Sequence, residues 1–483
     1  MTGRRALAIA LGLTALAWLP TLRGGFVWDD INNLVHSDRL ATWSALGDVF
    51  MQPAMWSAGT DAGAVPTWRP LALASFVIDR QVFGHDPTGY HFSSVLWHLL
   101  ATAAVFTLFA RVFGAAGGAA QAGMLRSLVL TLCFSLHPAA AEAVAWINGR
   151  SELFALLGGA GALALAISGV TMRRAPAFAL LLAVALMAKE TGLIFVPLTI
   201  AAAARRWPVV VVAALVVPVV LAVRMQAAGP PSLGPSMSEL LLALPSVYYR
   251  ALQATLVPVD LGITTLGPWI AQLSLAERVG HGLLMLGLVA APVVLWLKGL
   301  RHAAVGMAWW LGALLPTAVL VPLGWPGLQR WLCLALPGLL MALGHLPPSR
   351  VWRLAVPALL VLFTLQTQRA IQTWSSEEAL YIQTLEEDPT SALALANLGA
   401  LLLQRGQYAE AEGILVQAID ARPRQDGVRA HLTRSIARQG RCAEARAHLN
   451  LDPEQGPGRE RAAEAVRACE AGHPRGPTAT PAE

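Results

Sequence analysis

The sequence predicts an all-α membrane protein, with about eleven transmembrane helices followed by a short soluble α-solenoid. Three observations predict it. Hydrophobic residues make up 55% of the 483 positions and charged ones 13%, against about 25% charged in an ordinary soluble domain. Mean hydropathy is +0.55. Apolar stretches near spanning length alternate with short basic turns, and the C-terminal part carries a helical repeat pattern.

A crossing helix needs about 17–25 apolar residues. On that basis helices fall near 6–22, 91–110, 125–138, 152–170, 175–188, 191–204, 207–223, 278–297, 303–321, 331–346 and 351–368. The pair flanking Lys189–Glu190 is also open to reading as one broken hairpin. Arg4 and Arg5 place the N-terminus in the cytoplasm by the positive-inside rule. Alternation then puts the turns with Arg111/Arg126, Arg173/Arg174, Arg205/Arg206, Lys298/Arg301 and Arg350/Arg353 inside, and each is basic. An odd count of helices leaves the C-terminus outside. The apolar stretch 238–257 carries Pro245, Arg250 and two tyrosines, which suit a helix lying at the interface. It sits within an interfacial segment, 225–275. "ALAWLPTLRGG" makes a poor signal cleavage site, so the first apolar run is read as a retained helix. The net charge of +6 is spread as pairs and singles between apolar segments, which excludes a nucleic-acid-binding face.

Residues 1–370 thus form the membrane domain. Its first outer loop, 23–90, carries Trp28, Trp43, Trp56 and Trp68, as a segment lying against a membrane surface would. A repeat domain spans 371–471, and 472–483 ("GHPRGPTATPAE") reads as a disordered tail. Within the repeat domain, 392–425 matches the roughly 34-residue tetratricopeptide pattern. Leu398-Gly399, Ala411, Leu415, Ala418 and Pro423 stand at its offsets. "WSSEEALYIQTLEEDP" before it reads as the second helix of an incomplete repeat, and a degenerate repeat follows with Ala445 and Leu449 in register. Such repeats bind a partner segment or cap the membrane domain, and both readings stay open. Cys133 and Cys333 lie in apolar segments as small core residues. Cys442 and Cys469 fall near the start of one helix and the end of the next. A disulfide in an oxidising compartment and two free thiols are equally compatible with that spacing.

The polar residues within this apolar frame point to chemistry. A charge at membrane depth costs roughly 2.5–3.5 kcal/mol on insertion scales, so charged groups there need partners. On this topology the outward helix ends collect Asp29 and Asp30 ("FVWDDINN"), Arg69 ("TWRPL"), His137, Glu142, Asn148, Arg150 and Glu152 ("SLHPAAAEAVAWINGRSELFALL"), Lys189 and Glu190 ("LMAKETGLIF"), and Arg330 ("GLQRWLCLALPG"). Glu142 and Arg150 are eight apart, which on one helix gives a shared face. Singly, each has a plainer explanation: a snorkelling arginine, a local Lys189–Glu190 pair, a helix terminus at His137-Pro138, a solvated or capping Asp29-Asp30. Their convergence on one membrane face favours a site. Basic groups there would grip a lipid-linked phosphate, and a carboxylate would take the proton of an attacking hydroxyl.

"FVWDDINN", "WRPL…GYHFSSVLWHLL", "HPAAAEAVAWINGRSELFALL", "MAKETG" and "LQRWLCLALPG" occur here in the order found in the transmembrane-and-tetratricopeptide-repeat O-mannosyltransferases and their bacterial relatives. The chain resembles that family over nearly its whole length. The resemblance implies a GT-C-type membrane glycosyltransferase that takes a sugar from a polyprenyl-phosphate carrier on the outer face by a single inverting displacement. It implies Asp29 as the general base with Asp30 orienting it or the acceptor, and Arg69, His137, Glu142, Arg150, Lys189, Glu190 and Arg330 around the donor phosphate and sugar. Gln329 and Cys333 depart from the family's last motif, which puts sugar and acceptor identity in doubt. The Ala-rich, Arg-over-Lys composition suggests a bacterial protein, with an inner-membrane location, a periplasmic repeat domain and undecaprenyl phosphate as carrier. No cofactor is assigned; a divalent metal is possible, although one aspartate pair without a distant third carboxylate makes no firm site. The expected acceptor is a Ser or Thr hydroxyl of an exported protein. The alternatives are a lipid or cell-wall glycan acceptor, or a non-catalytic repeat scaffold anchored in the membrane.

Overall fold

A computed structural model describes residues 2–53, 67–114, 120–229, 236–258, 263, 266–320, 329–347, 350–423, 427–452 and 456–472. Trp56, part of the interfacial segment and nearly all of the expected tail lie outside the described residues. The chain divides into two compact units, one of Met1–Val259 with Thr265–Ser375, the other of Asp260–Thr264 with Ser376–Glu483. Among the described residues the regular structure is helical throughout.

In the first unit the helices are α1 Gly3–Trp18, α2 Ala45–Asp48, α3 Pro70–Phe83, α4 Pro87–Phe113, α5 Ala120–Ser135, α6 Ala141–Val144, α7 Ser151–Ser168 and α8 Ala175–Ala188. They continue with α9 Phe195–Ala202, α10 Arg206–Ala228, α11 Met237–Leu256, α12 Leu266–Gln272, α13 Leu275–Leu297, α14 Arg301–Leu320, α15 Gln329–Leu343 and α16 Arg350–Thr373. Their starts follow local chemistry. Pro70 and Pro87 open α3 and α4, where a missing N–H costs nothing. Ser236 with Glu239 and Ser274 with Glu277 form reciprocal caps on α11 and α13, satisfying donors that a helix start leaves open. Small residues let helices touch: a Cβ on Gly306 of α14 would stand 2.5 Å from the Gly338 carbonyl oxygen of α15, the close approach that joins helices in lipid.

Helices form at all the expected apolar stretches, but the expected count of about eleven crossings is not met. Among the described residues five are long and apolar enough: Gly3–Arg23, Pro87–Phe113, Ile147–Ser168, Arg206–Ala228 and Leu275–Leu297. A sixth is reached if Ala120–Ser135 and Pro138–Val144, bent by 55°, are one span. The reason is length. At about 1.5 Å per residue, the 14 residues of α8 and the 8 of α9 fall short of a hydrocarbon core about 30 Å thick. Lys189 and Glu190 interrupt what would have been a longer run. The 23–90 segment is also not loop throughout, because α3 lies within it and α4 begins at Pro87. Of the five long helices α7 is the most enclosed and α13 the least. Leu283, Leu286, Val293 and Leu297 of α13 are exposed, as lipid-facing residues would be.

The second unit comprises α17 Glu377–Glu387, α18 Ala392–Gln404, α19 Tyr408–Ala421, α20 Val428–Arg438, α21 Cys442–Asn450 and α22 Pro457–Glu470. Successive helices pair as hairpins, and α22 packs on α20 and α21. A Cβ at Gly399 would stand 2.6 Å from the Leu415 side chain, so the Leu398-Gly399 pair is what lets α18 and α19 pack. Cys442 and Cys469 are joined in a disulfide, with Cα atoms 5.6 Å apart, which ties α21 to the end of α22.

Candidate active site

The "FVWDDINN" segment leaves α1 through a turn at Leu19–Arg23. Gly25 N–H donates to the Ser375 carbonyl at 2.9 Å, and His91 Nε2 lies 3.2 Å from the Gly25 carbonyl oxygen. Trp28 is the one non-glycine among the described residues with positive φ, +54°. Such a conformation costs of order 1–3 kcal/mol and persists only where its surroundings enforce it. The enforcing contacts are visible. The Trp28 ring stacks on Trp146 at 5.0 Å, and Trp146 on Trp374 at 5.8 Å.

Asp30 is fully buried, and both its oxygens are used. Oδ2 accepts from the Val27 N–H at 3.2 Å and Oδ1 from the Asn148 N–H at 3.0 Å. It therefore ties its own loop to the Ile147–Arg150 turn. Burial pushes its carboxyl up to about 8, partly offset by those backbone N–H groups and reinforced by neighbouring Asp29. Asp29 differs. It is half-buried, and among the described residues it makes no hydrogen bond or ion pair. Burial raises its carboxyl above the usual range, while the charges of Arg330 and then Arg69 pull it down.

Two cations, Arg330 and Arg69, act on that carboxylate, and Lys189 joins them in one cluster. Arg330 opens α15, with Nε 2.7 Å from Glu142 Oε1, and its backbone N–H donates to Glu142 Oε2 at 3.0 Å. Its guanidinium lies over Trp146 at 5.0 Å, Trp331 at 5.2 Å and Trp28 at 5.9 Å, a cation–π arrangement. Lys189, at the break between α8 and the following turn, pairs with Glu152 in a buried contact and stands 4.9 Å over Trp331. Arg69 precedes α3; its buried Nε–H has no hydrogen-bond partner. The charges of Arg69 and Arg330 both reach Lys189, so the three belong to one cluster. The Trp68 N–H donates to Glu190 Oε1 at 3.2 Å and its indole to the Phe50 carbonyl at 3.0 Å, which anchors the residue beside Arg69. Glu190 also faces Arg224 at 3.7 Å. Trp68, Glu190 and Arg224 line a cavity of about 380 Å³ whose other walls are apolar, with Leu193, Val220 and Leu221 among them.

Asp29, Arg69, Glu142, Lys189 and Arg330, with Asp30 and Glu190 at the edges, are thus brought together from segments far apart in sequence. Two expected site residues are not. Arg150 is fully buried elsewhere and donates to Asp79 at 2.6 Å, Ser75 at 2.8 Å, Ser94 at 3.2 Å and the Tyr90 carbonyl at 2.9 Å. It also shares no helix face with Glu142. Trp146 is extended (φ −85°, ψ 119°), and a Cβ at Gly149 would fall 1.9 Å from the Glu142 carbonyl oxygen, so the chain folds back on α6. His137 caps the turn after α5: Nδ1 accepts from the Ala139 N–H at 3.0 Å, and Nε2–H donates to the Thr255 carbonyl at 3.1 Å. Both ring nitrogens are occupied, which leaves a neutral imidazole nothing to offer a phosphate.

Sequence reasoning missed the aromatic wall. Each of the three tryptophans sits inside a quoted motif, "FVWDD", "AVAWINGR" or "QRWLC", and that adjacency was the available signal. The indole N–H groups of Trp146 and Trp331 and the amide of Asn148 are buried donors without partners. Among the described residues no three His, Cys, Asp or Glu side chains gather as metal ligands. Glu142, Glu152 and Asp30 are committed to Arg330, Lys189 and backbone N–H groups, so a divalent cation fits this donor set poorly.

The fold and site define an integral membrane protein of apolar helices that carries tetratricopeptide repeats. Family profiles described as Tetratricopeptide repeat match residues 380–413 and 402–469. The chain is similar to Protein O-mannosyl-transferase Tmtc1 of Drosophila melanogaster, 33% identical over 150 residues, 30% of this chain and 16% of that protein. It is similar to TMTC1 of Mus musculus, 30% identical over 154 residues, 32% and 16%, and to TMTC2 of Homo sapiens, 30% over 148 residues, 31% and 16%. The matched stretch thus spans about a sixth of each of these relatives. No solved structure matches.

Proposed function

We propose that this chain is a membrane glycosyltransferase that moves a sugar from a polyprenyl-phosphate carrier to a hydroxyl of a protein acceptor, with Asp29 as general base. The observation that carries the reading is a carboxylate free of hydrogen bonds held beside Arg69, whose buried Nε–H also lacks a partner. The named activity of the O-mannosyl-transferase relatives supports it.

In the proposed step the acceptor oxygen attacks the anomeric carbon as Asp29 takes its proton. The bond from that carbon to the phosphate oxygen breaks, and the electron pair leaves with polyprenyl phosphate. The anomeric configuration inverts. Arg69, with Arg330 and Lys189 behind it, offsets charge developing on the phosphate, and Asp30 holds the Asp29 loop. The unpartnered N–H groups of Trp146, Trp331 and Asn148 suit an oxygen-rich ligand. The apolar cavity beside Trp68 suits the isoprenoid chain. Reaction on the outer face, with the N-terminus inside, accords with the basic turns. The Cys442–Cys469 disulfide supports a repeat domain in an oxidising compartment.

The test incubates wild-type protein and Asp29→Asn in nanodiscs with radiolabelled polyprenyl-phosphate sugars and a periplasmic extract. Asp29-dependent label in protein supports the reading and identifies the sugar. Label confined to lipid or glycan moves the acceptor to the second reading, and Asp29-independent consumption of donor overturns the assigned base.

A further inference from the structure

We propose that the repeat unit docks an acidic polypeptide segment on the face where α20 and α22 run side by side, through Arg434, Arg461 and His431. This site is separate from the transfer chemistry and stands whether or not that reading holds.

The residues of α20 that are not buried are Arg429, His431, Arg434 and Arg438. Every partly open position on this helix is therefore basic or histidine. His431, Arg434 and Arg438 recur at helical spacing, so they share one face. Arg434 Nη1 lies 3.5 Å from His431 Nδ1. Arg461 comes from α22, the next first helix of the array, and its charge acts on both Arg434 and His431. First helices of successive repeats line the extended surface with which such solenoids bind partners.

Four other arginines of this unit show what compensation looks like. Arg405 pairs with Glu378 and Arg441 with Glu412, each at 2.7 Å. Arg441 also pairs with Glu444 and Arg446 with Glu470, and Arg459 donates to the Leu449 carbonyl at 3.0 Å. Among the described residues no carboxylate pairs with Arg434 or Arg461. Burial lowers the Arg434 guanidinium below its ordinary value, and Arg461 and Arg438 lower it further. Burial, then Arg434 and Arg461, lower His431 to about 4. Like charges drawn together on one face, with no carboxylate paired to Arg434 or Arg461 among the described residues, are complementary to an external anion. Guanidinium groups grip carboxylates in two-point contacts. His431 and Arg434 are half-buried while Arg461 is exposed, so an extended acidic chain, whose side chains reach the two recessed groups, suits this face better than a flat anionic bilayer.

Fluorescence anisotropy of full-length protein in phosphatidylcholine nanodiscs, with no sugar donor present, tests this using a labelled Glu/Ser peptide and its Gln/Ser counterpart. The Glu/Ser peptide should bind at least about tenfold tighter than the Gln/Ser one. The double variant Arg434→Gln/Arg461→Gln should erase that preference while keeping or raising the unfolding temperature, since it removes repulsion. Arg446→Gln, whose partner Glu470 lies outside the cluster, should leave binding unchanged. Added salt should weaken wild-type binding steeply, a readout that needs no variant. Equal binding of the two peptides, or an acidic preference that survives the double variant, overturns the proposal. So does loss of thermal stability in the double variant with binding retained. Competition by phosphatidylglycerol nanodiscs in place of peptide binding would reassign the patch to the membrane.

Discussion

Arg150 and Arg69 both lie among buried residues, at the starts of α7 and α3, yet their surroundings are opposite. Arg150 is sealed: Asp79 neutralises it, Ser75, Ser94 and the Tyr90 carbonyl accept its remaining bonds, and Phe76 lies against its guanidinium at 4.9 Å. Arg69 keeps a buried donor without a partner and faces a carboxylate that is itself unbonded. A charge buried in an apolar protein is thus not evidence of function by its presence. What separates structural from chemical charge here is whether its hydrogen-bonding capacity is already used.

Substitution can break that comparison. The largest effect expected is on turnover. Asp29→Asn should lower the transfer rate by about 10²–10⁴-fold, the range for a lost general base, with unfolding temperature and detergent extraction unchanged. Arg150→Met should do the reverse, destabilising the fold by about 3–5 kcal/mol because Asp79 is left buried and unpaired. Thermal unfolding in detergent measures it, and Arg150→Met/Asp79→Leu should recover most of the loss. An Arg150→Met protein with wild-type stability would undo the contrast.

A smaller effect sharpens it. Burial already raises the Asp29 carboxyl, and Arg330 and Arg69 restrain it. The base form is then lost as pH falls through a value above the ordinary carboxylate range. Arg69→Gln removes one restraint, so the acid limb of kcat/KM should move to higher pH, with the donor KM raised by about tenfold from the lost phosphate contact. An acid limb that stays in place would separate Arg69 from Asp29.

These differences were only partly legible in the sequence. Hydrophobic runs place apolar helices, and they formed where the runs stand. Run length did not survive folding, because Pro138 bends one stretch and the helices on either side of Lys189–Glu190 are only 14 and 8 residues long. The α3 helix was concealed in an expected loop, and with it Asp79, the acid that occupies Arg150. Sequence spacing placed Glu142 and Arg150 on one helix, but Gly149 lets the chain fold back between them. The motifs named the charged residues around Asp29, yet no pattern in one dimension says which donors are already satisfied. Cys442 and Cys469 were near enough in the expected hairpin for a bridge to be one of two readings, and their antiparallel helices make it.

The central claim is that Asp29 is the uncommitted, reacting carboxylate. Single-turnover transfer from a radiolabelled polyprenyl-phosphate sugar, followed across pH in wild type and in Asp29→Asn of matched thermal stability, tests it most directly. The account predicts a wild-type rate that falls below an acid limb and a variant rate that is low and flat with pH. A variant that keeps the wild-type rate and the same limb would contradict it.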